Sequence, residues 1–148
     1  MLKERIQEDA MRALKSGDSS LVGTLRLLLA ALQSCEIEKR GTGQSPTLTD
    51  EDVVMVLQRE AKKRKEAAAL FTRGGRDDLA RHEAEELAIV ERYLPEQIGA
   101  EEIKKTLEEL KAAGHADFAS LMREGMKKLR GKADGNTVSA IAKEILNG

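Results

Sequence analysis

Pro95 limits the fold of this chain more than any other residue. It stands in the run Arg92, Tyr93, Leu94, Pro95, Glu96, Gln97, at the close of a charged, helix-patterned stretch that begins near Ala80. A proline ring clashes with the carbonyl one turn back and offers no N–H, and it also drives the residue before it out of helical geometry. One helical unit must therefore end at Leu94, and a second begins at Pro95. The chain has 148 residues, 41% of them hydrophobic, enough for two small cores, one in 1–94 and one in 95–148.

Apolar residues before Pro95 recur at steps of three and four. Leu2, Ile6, Ala10, Ala13 and Leu14 form one stripe, which predicts a first helix ending near Gly17. Asp18 to Ser20 can cap a second helix carrying Leu21, Val22, Leu25, Leu28, Leu29, Leu32 and Ile37, with a stop at Gly41. Gly41 to Leu48 is rich in turn residues and has no period, so it reads as an exposed loop. Thr49 with Asp52 resembles a capping box, and Leu48 can staple onto Val53. A third helix then runs to about Phe71, with Val53, Val56, Leu57, Ala61, Ala68 and Phe71 inward; Gly74 and Gly75 break it. The fourth spans about Arg76 to Leu94, with Leu79, Leu87, Val90 and Leu94 inward.

Beyond Pro95 the stripe restarts. Ile98, Ile103, Leu107 and Leu110 predict a helix ending near Gly114; Phe118, Leu121, Met122 and Leu129 predict another; Val138, Ile141, Ala142, Ile145 and Leu146 predict the last. Strand-like alternation is absent. The expected fold is all-α, an N-terminal bundle of about four helices followed by a small three-helix tail domain.

Composition narrows the chemistry. Net charge is -1 with 34% charged residues, so attraction for a polyanion has to come from a local patch. Cys35 is the sole cysteine, which excludes an internal disulfide and an all-cysteine metal site, and fits a reducing cytoplasm. With no histidine in sequence near it, Cys35 reads as a buried or half-buried structural thiol. The apolar run Leu25 to Leu32 is too short to span a bilayer, so the expectation is a cytoplasmic protein with no membrane partner. His82, Glu83 and Glu86 echo a zinc-protease helix, but the second histidine is replaced by Glu86; no metal and no cofactor are expected. Carboxylates cover every helix face and single out no acid–base pair, so no catalytic residue is nominated.

Two basic clusters remain. Arg123, Lys127, Lys128, Arg130 and Lys132 face a single acid, Glu124, and adjoin Gly131 and Gly135 where the last helix opens. Such a loop can neutralise phosphates, with helix N–H groups and dipole favouring an anion. The same residues also fit a solvated helix end, where cations favour the C-terminal dipole. Lys62, Lys63, Arg64 and Lys65 point in nearly every direction round a helix and make no flat patch; Arg64 can pair with Glu60 or reach the acidic fourth helix. Phe71, Tyr93 and Phe118 are the only aromatics and offer no base-stacking platform, which favours contact with folded RNA backbone over single-strand reading.

Several segments, in order and over almost the whole chain, resemble the GatB/YqeY family. They are Leu25 to Leu32 with Glu36, Ile37 and Glu38; Val56 to Glu60 with Lys62 to Glu66; Gly75, Arg76, Asp78, Leu79 and Ala80 leading to Glu83, Glu86 and Leu87; and Tyr93 to Gln97. In the tail, Met122, Met126, Gly131, Lys132, Ala133, Asp134, Gly135 and Val138 match, while Ala119 and Lys127 replace a family glycine and proline. The resemblance implies a two-part helical protein whose tail is similar to the tRNA-contacting tail of a subunit of glutamine-dependent aminoacyl-tRNA amidotransferase. It implies a tRNA-associated adaptor, with tRNA and amidotransferase or synthetase components as partners. An accessory subunit in carbon–nitrogen ligation with glutamine as amido-N donor stands as an alternative, as does a protein–protein interaction module using the third and fourth helices.

Overall fold

A computed structural model describes every residue from Met1 to Gly148. The chain is all helical: α1 Leu2–Ser16, α2 Ser19–Gly41, α3 Asp50–Arg73, α4 Asp77–Glu91, α5 Ala100–Ala112, α6 Phe118–Leu129 and α7 Gly135–Asn147. It divides into two compact units, Met1–Leu94 and Pro95–Gly148.

In the first unit, Ile6 of α1, Leu25, Leu28 and Leu32 of α2, Val53 and Leu57 of α3 and Val90 of α4 meet in one core and are almost wholly excluded from solvent. Burying side chains of this size stabilises by about 1.5–3 kcal/mol each, less the entropy of ordering them. Leu14 and Ile37, expected in the stripes, are 59% and 60% exposed. At roughly 100° per residue, Leu14 lies about 80° round from Ile6 and Ile37 about 120° round from Leu25, beyond the arc the core covers. Cys35 is half-buried against this core. The 23-residue α2 outlasts its apolar run, and its best 18-residue window has a mean hydropathy of 1.3, so length and composition alone would let it cross a membrane. Here its inner face forms much of the bundle core.

Local chemistry fixes the helix ends. Gly17 caps α1 in the left-handed region at φ 78°, where a side chain would be strained. Thr49 and Asp52 form the full capping box: Asp52 N–H donates to Thr49 Oγ1 at 3.1 Å and Thr49 N–H to Asp52 Oδ2 at 2.9 Å. Asp52 also accepts from Lys39 Nζ at 2.8 Å, and Lys39 donates to the Thr47 carbonyl at 3.1 Å, so one lysine ties the end of α2 to the loop and to α3. The lysine bond, then the Thr49 N–H, hold the Asp52 carboxyl below its ordinary pKa. A carboxyl with a lowered folded pKa adds stability above its unfolded value of about 3.9, and that stability fades as pH falls through the folded pKa. Asp52→Ala should therefore cost about 1–2 kcal/mol at pH 7. In urea melts the gap between wild type and variant should narrow below pH 4.

The fourth helix stops three residues earlier than the pattern suggests. Arg92, Tyr93 and Leu94 close it in a tightened turn, their N–H groups donating to Ile89, Val90 and Glu91 carbonyls at 3.1–3.3 Å. The turn aims Tyr93 into the bundle, where it is 7% exposed and its hydroxyl donates to Asp9 Oδ2 at 2.6 Å. Burial, reinforced by that carboxylate, pushes the phenol up to about 12. Because the raised pKa favours the neutral phenol, its contribution is complete below the unfolded pKa of about 10 and is lost as pH climbs through the folded one. As the only tyrosine, Tyr93 should give a single phenolate absorbance transition with a midpoint near 12; a midpoint at 10 in the folded protein would contradict this environment.

Arg64 is the one buried charged residue, 6% exposed on α3. Its Nη1 donates to Glu60 Oε2 at 2.8 Å and to the Glu60 carbonyl at 3.1 Å, and its Nε to Glu86 Oε2 on α4 at 3.0 Å. Both partners foreseen from sequence are engaged at once. Glu86 also meets His82 Nε2 at 2.8 Å, so the motif that echoes a metal site is part of this ion-pair network.

The second unit packs Ile103 and Leu107 of α5, Leu121 and Leu129 of α6, and Val138 and Ala142 of α7 into its own core. Gly125 lets α5 and α6 close up, since a Cβ there would lie 2.7 Å from Leu107 Cδ2. Lys111 of α5 donates to the Ile145 carbonyl at 3.2 Å, satisfying one end group of α7. The helix α6 runs unbroken through Lys127, as replacement of a proline allows.

Candidate nucleic-acid interface

The basic segment joins the end of α6 to the start of α7. Arg130 has φ -56° and ψ 127°, Gly131 has φ 80°, and Lys132 N–H donates to the Leu129 carbonyl at 2.9 Å. These are the features of a type II β-turn, whose third residue requires a positive φ and hence glycine. Gly131 is buried, and its role is to make this turn. Ala133 N–H also reaches the Leu129 carbonyl, at 3.1 Å, and the Ala133 methyl enters the core. The loop is thus pinned from below while Arg130 and Lys132 stay exposed.

A second clamp comes from the start of the unit. Gln97 Nε2 donates to the Gly131 carbonyl at 2.6 Å and to the Pro95 carbonyl at 2.8 Å, and Ile98 N–H donates to the Lys132 carbonyl at 3.0 Å. The residues after Pro95 therefore hold the basic turn in register. Sequence reasoning singled out Tyr93 to Gln97 as a motif without this role for Gln97. A lone glutamine 34 positions away carries no local signal for such a bond.

The five cations fall into two sets. Arg123 and Lys127 share the outer side of α6 one turn apart, and both lie near Glu124 Oε1, at 3.8 and 3.1 Å. The Lys127 hydrogen bond keeps the Glu124 carboxyl below its ordinary pKa. Lys128 sits about 100° further round the helix, and with Arg130 and Lys132 it surrounds the turn. Next to them α7 begins at Gly135, behind Asp134, whose side chain makes no capping bond to the helix. Its first-turn N–H groups and the positive end of its dipole suit an anion. Gly135 needs no special backbone angle, and a Cβ there would meet only Met126 Cε at 4.0 Å.

No group of three or more His, Cys, Asp or Glu side chains could hold a metal ion. The Lys62 to Lys65 cluster is dispersed, with Arg64 buried and Lys63 only 3.4 Å from Glu60.

Two helical units, the second bearing a clamped basic turn at a helix N-terminus, define a class of small all-α protein. The model of the YqeY-like protein family matches residues 3–146 of the chain, which therefore belongs to that family. It is also 33% identical over 95 residues to an uncharacterized protein of Schizosaccharomyces pombe, covering 64% of this chain and 73% of the relative.

Proposed function

We propose that this protein is a cytoplasmic, non-catalytic helical adaptor that associates with tRNA through its tail unit. The observation that carries the reading is the type II turn at Leu129 to Lys132, held by Gln97 and Ile98, which keeps Arg130 and Lys132 exposed beside the uncapped start of α7. Fixed cations at a helix N-terminus meet the requirements of a phosphate site, because both the charge and the N–H groups are in place before the ligand arrives. The resemblance of this tail to the tRNA-contacting tail of an amidotransferase subunit selects tRNA among polyanions. Amidotransferase or synthetase components are then the natural protein partners.

Glu124 supplies a test in the direction of tighter binding. It occupies Lys127 and lies close to Arg123, so Glu124→Gln releases two cations and removes a repelling charge. Bulk tRNA should bind the full-length variant about threefold to tenfold more tightly than wild type at low salt, read by mobility shift. Weaker or unchanged binding would place the RNA contact elsewhere, and no binding by either protein would end the reading.

A further inference from the structure

The N-terminal unit carries a cleft that the tail's proposed role does not use. It is an open cleft of about 390 Å³ between α1, the start of α2 and the turn after α4, with Arg5, Asp9, Arg12, Ser16, Arg92 and Tyr93 on its polar side and Ala13 and Leu21 on its apolar side. The polar groups are arranged. Tyr93 donates to Asp9 Oδ2 at 2.6 Å, and the Arg5 guanidinium carbon sits 5.2 Å above the centroid of the Tyr93 ring. Arg12 Nη1 approaches Asp9 Oδ1 only to 3.7 Å and its Nη2 approaches Glu8 Oε2 only to 4.0 Å, and Arg92 makes no ion pair. Within the lining three guanidinium groups thus face one carboxylate, Asp9, which already has one oxygen engaged by the phenol; Glu8 lies outside the lining, 4.0 Å from Arg12.

We propose that this cleft binds the phosphate-monoester dianion of a small molecule. The lining carries an excess of two positive charges, which matches a monoester whose second ionisation, with a pKa of about 6, is complete at neutral pH. Arginine forks give paired, directional hydrogen bonds to phosphate oxygens; Arg12 holds Asp9 and Glu8 only at 3.7 and 4.0 Å, beyond hydrogen-bond reach, so its fork can turn to a ligand beside Arg92. Asp9, through Tyr93, fixes the wall over which Arg5 lies. Ala13 and Leu21 offer an apolar surface to the organic part of the ligand, and the volume falls within the range of small-molecule sites, about 300–1,000 Å³. This inference does not depend on RNA binding by the tail, since every residue it uses lies in Met1–Leu94.

The chain has one tyrosine and no tryptophan, so its intrinsic emission comes from the cleft wall. Full-length protein is titrated with methyl phosphate at constant ionic strength, following Tyr93 emission and the phosphorus resonance of the ligand together. Saturable binding is expected. It should weaken about tenfold or more in Arg12→Gln/Arg92→Gln and be unchanged when the five tail cations are replaced by alanine. Arg92→Gln alone, which breaks no ion pair, should weaken it in the same direction. Dimethyl phosphate, a monoanion like an RNA backbone phosphate, should bind at least about tenfold more weakly. Absence of a saturable change in the phosphorus resonance, unaltered affinity in both arginine variants, or equal binding of dimethyl phosphate would each overturn the proposal; the last would reassign the cleft to a phosphodiester backbone.

Discussion

Replacing Arg64 with alanine is expected to destabilise the N-terminal unit by about 3–5 kcal/mol, the cost of removing one partner from a buried ion pair. The cause is what remains behind. Glu60 and Glu86 both turn their carboxylates to the Arg64 guanidinium, and their side chains are only 14% and 15% exposed. Without the arginine, two largely buried carboxylates share a site whose nearest remaining cation is Lys63, 3.4 Å from Glu60 and itself 73% exposed. A domain of this size has only about 5–15 kcal/mol of total stability, so a large share of the unit's stability is at stake. Arg64→Lys should recover only part of the loss, because one ammonium cannot reproduce the two-sided fork. Urea unfolding of wild type and both variants measures this, and a loss under 1 kcal/mol for Arg64→Ala would mean that α3 and α4 do not rely on the bridge.

Alanine at Arg123, Lys127, Lys128, Arg130 and Lys132 together is expected to lower tRNA affinity at least about 100-fold in low salt, with little change in stability. Each phosphate neutralised contributes about −0.7 to −0.9 to the slope of log affinity against log salt. All five in contact would give a slope of about −3.5 to −4.5, and the three around the turn alone about −2 to −3. Glu124 decides where wild type falls in that interval, since it competes with phosphate for Arg123 and Lys127. The small effect on stability follows from exposure: Arg123 and Lys127 are 65% and 64% exposed, and ion pairs in such positions contribute little.

The features most legible from sequence were those set by one or a few neighbouring residues. Pro95 must end a helix, and the compact units divide between Leu94 and Pro95. Thr49 and Asp52 cap α3 because a capping box needs only the spacing of its two members. Helical periodicity identified seven helices and most of both cores; it failed at Leu14 and Ile37, where an apolar residue at the edge of a stripe lies outside the covered arc, and at Phe118, which stands exposed at the first position of α6. The site was less legible. Its cations could be listed by reading the chain, yet the turn that presents them depends on Gly131 at φ 80° and on Gln97, which is distant in sequence. The separation of Arg123 and Lys127 from the other three follows from helix phase and from Glu124, neither of which a count of charges conveys.

The salt dependence of tRNA binding by the full-length protein tests the central claim most directly. A slope between about −2 and −4.5 for wild type, steeper for Glu124→Gln and close to zero for the five-alanine protein, is the result expected of a phosphate-contacting tail. A wild-type slope near zero, or one that the five substitutions leave unchanged, would contradict it.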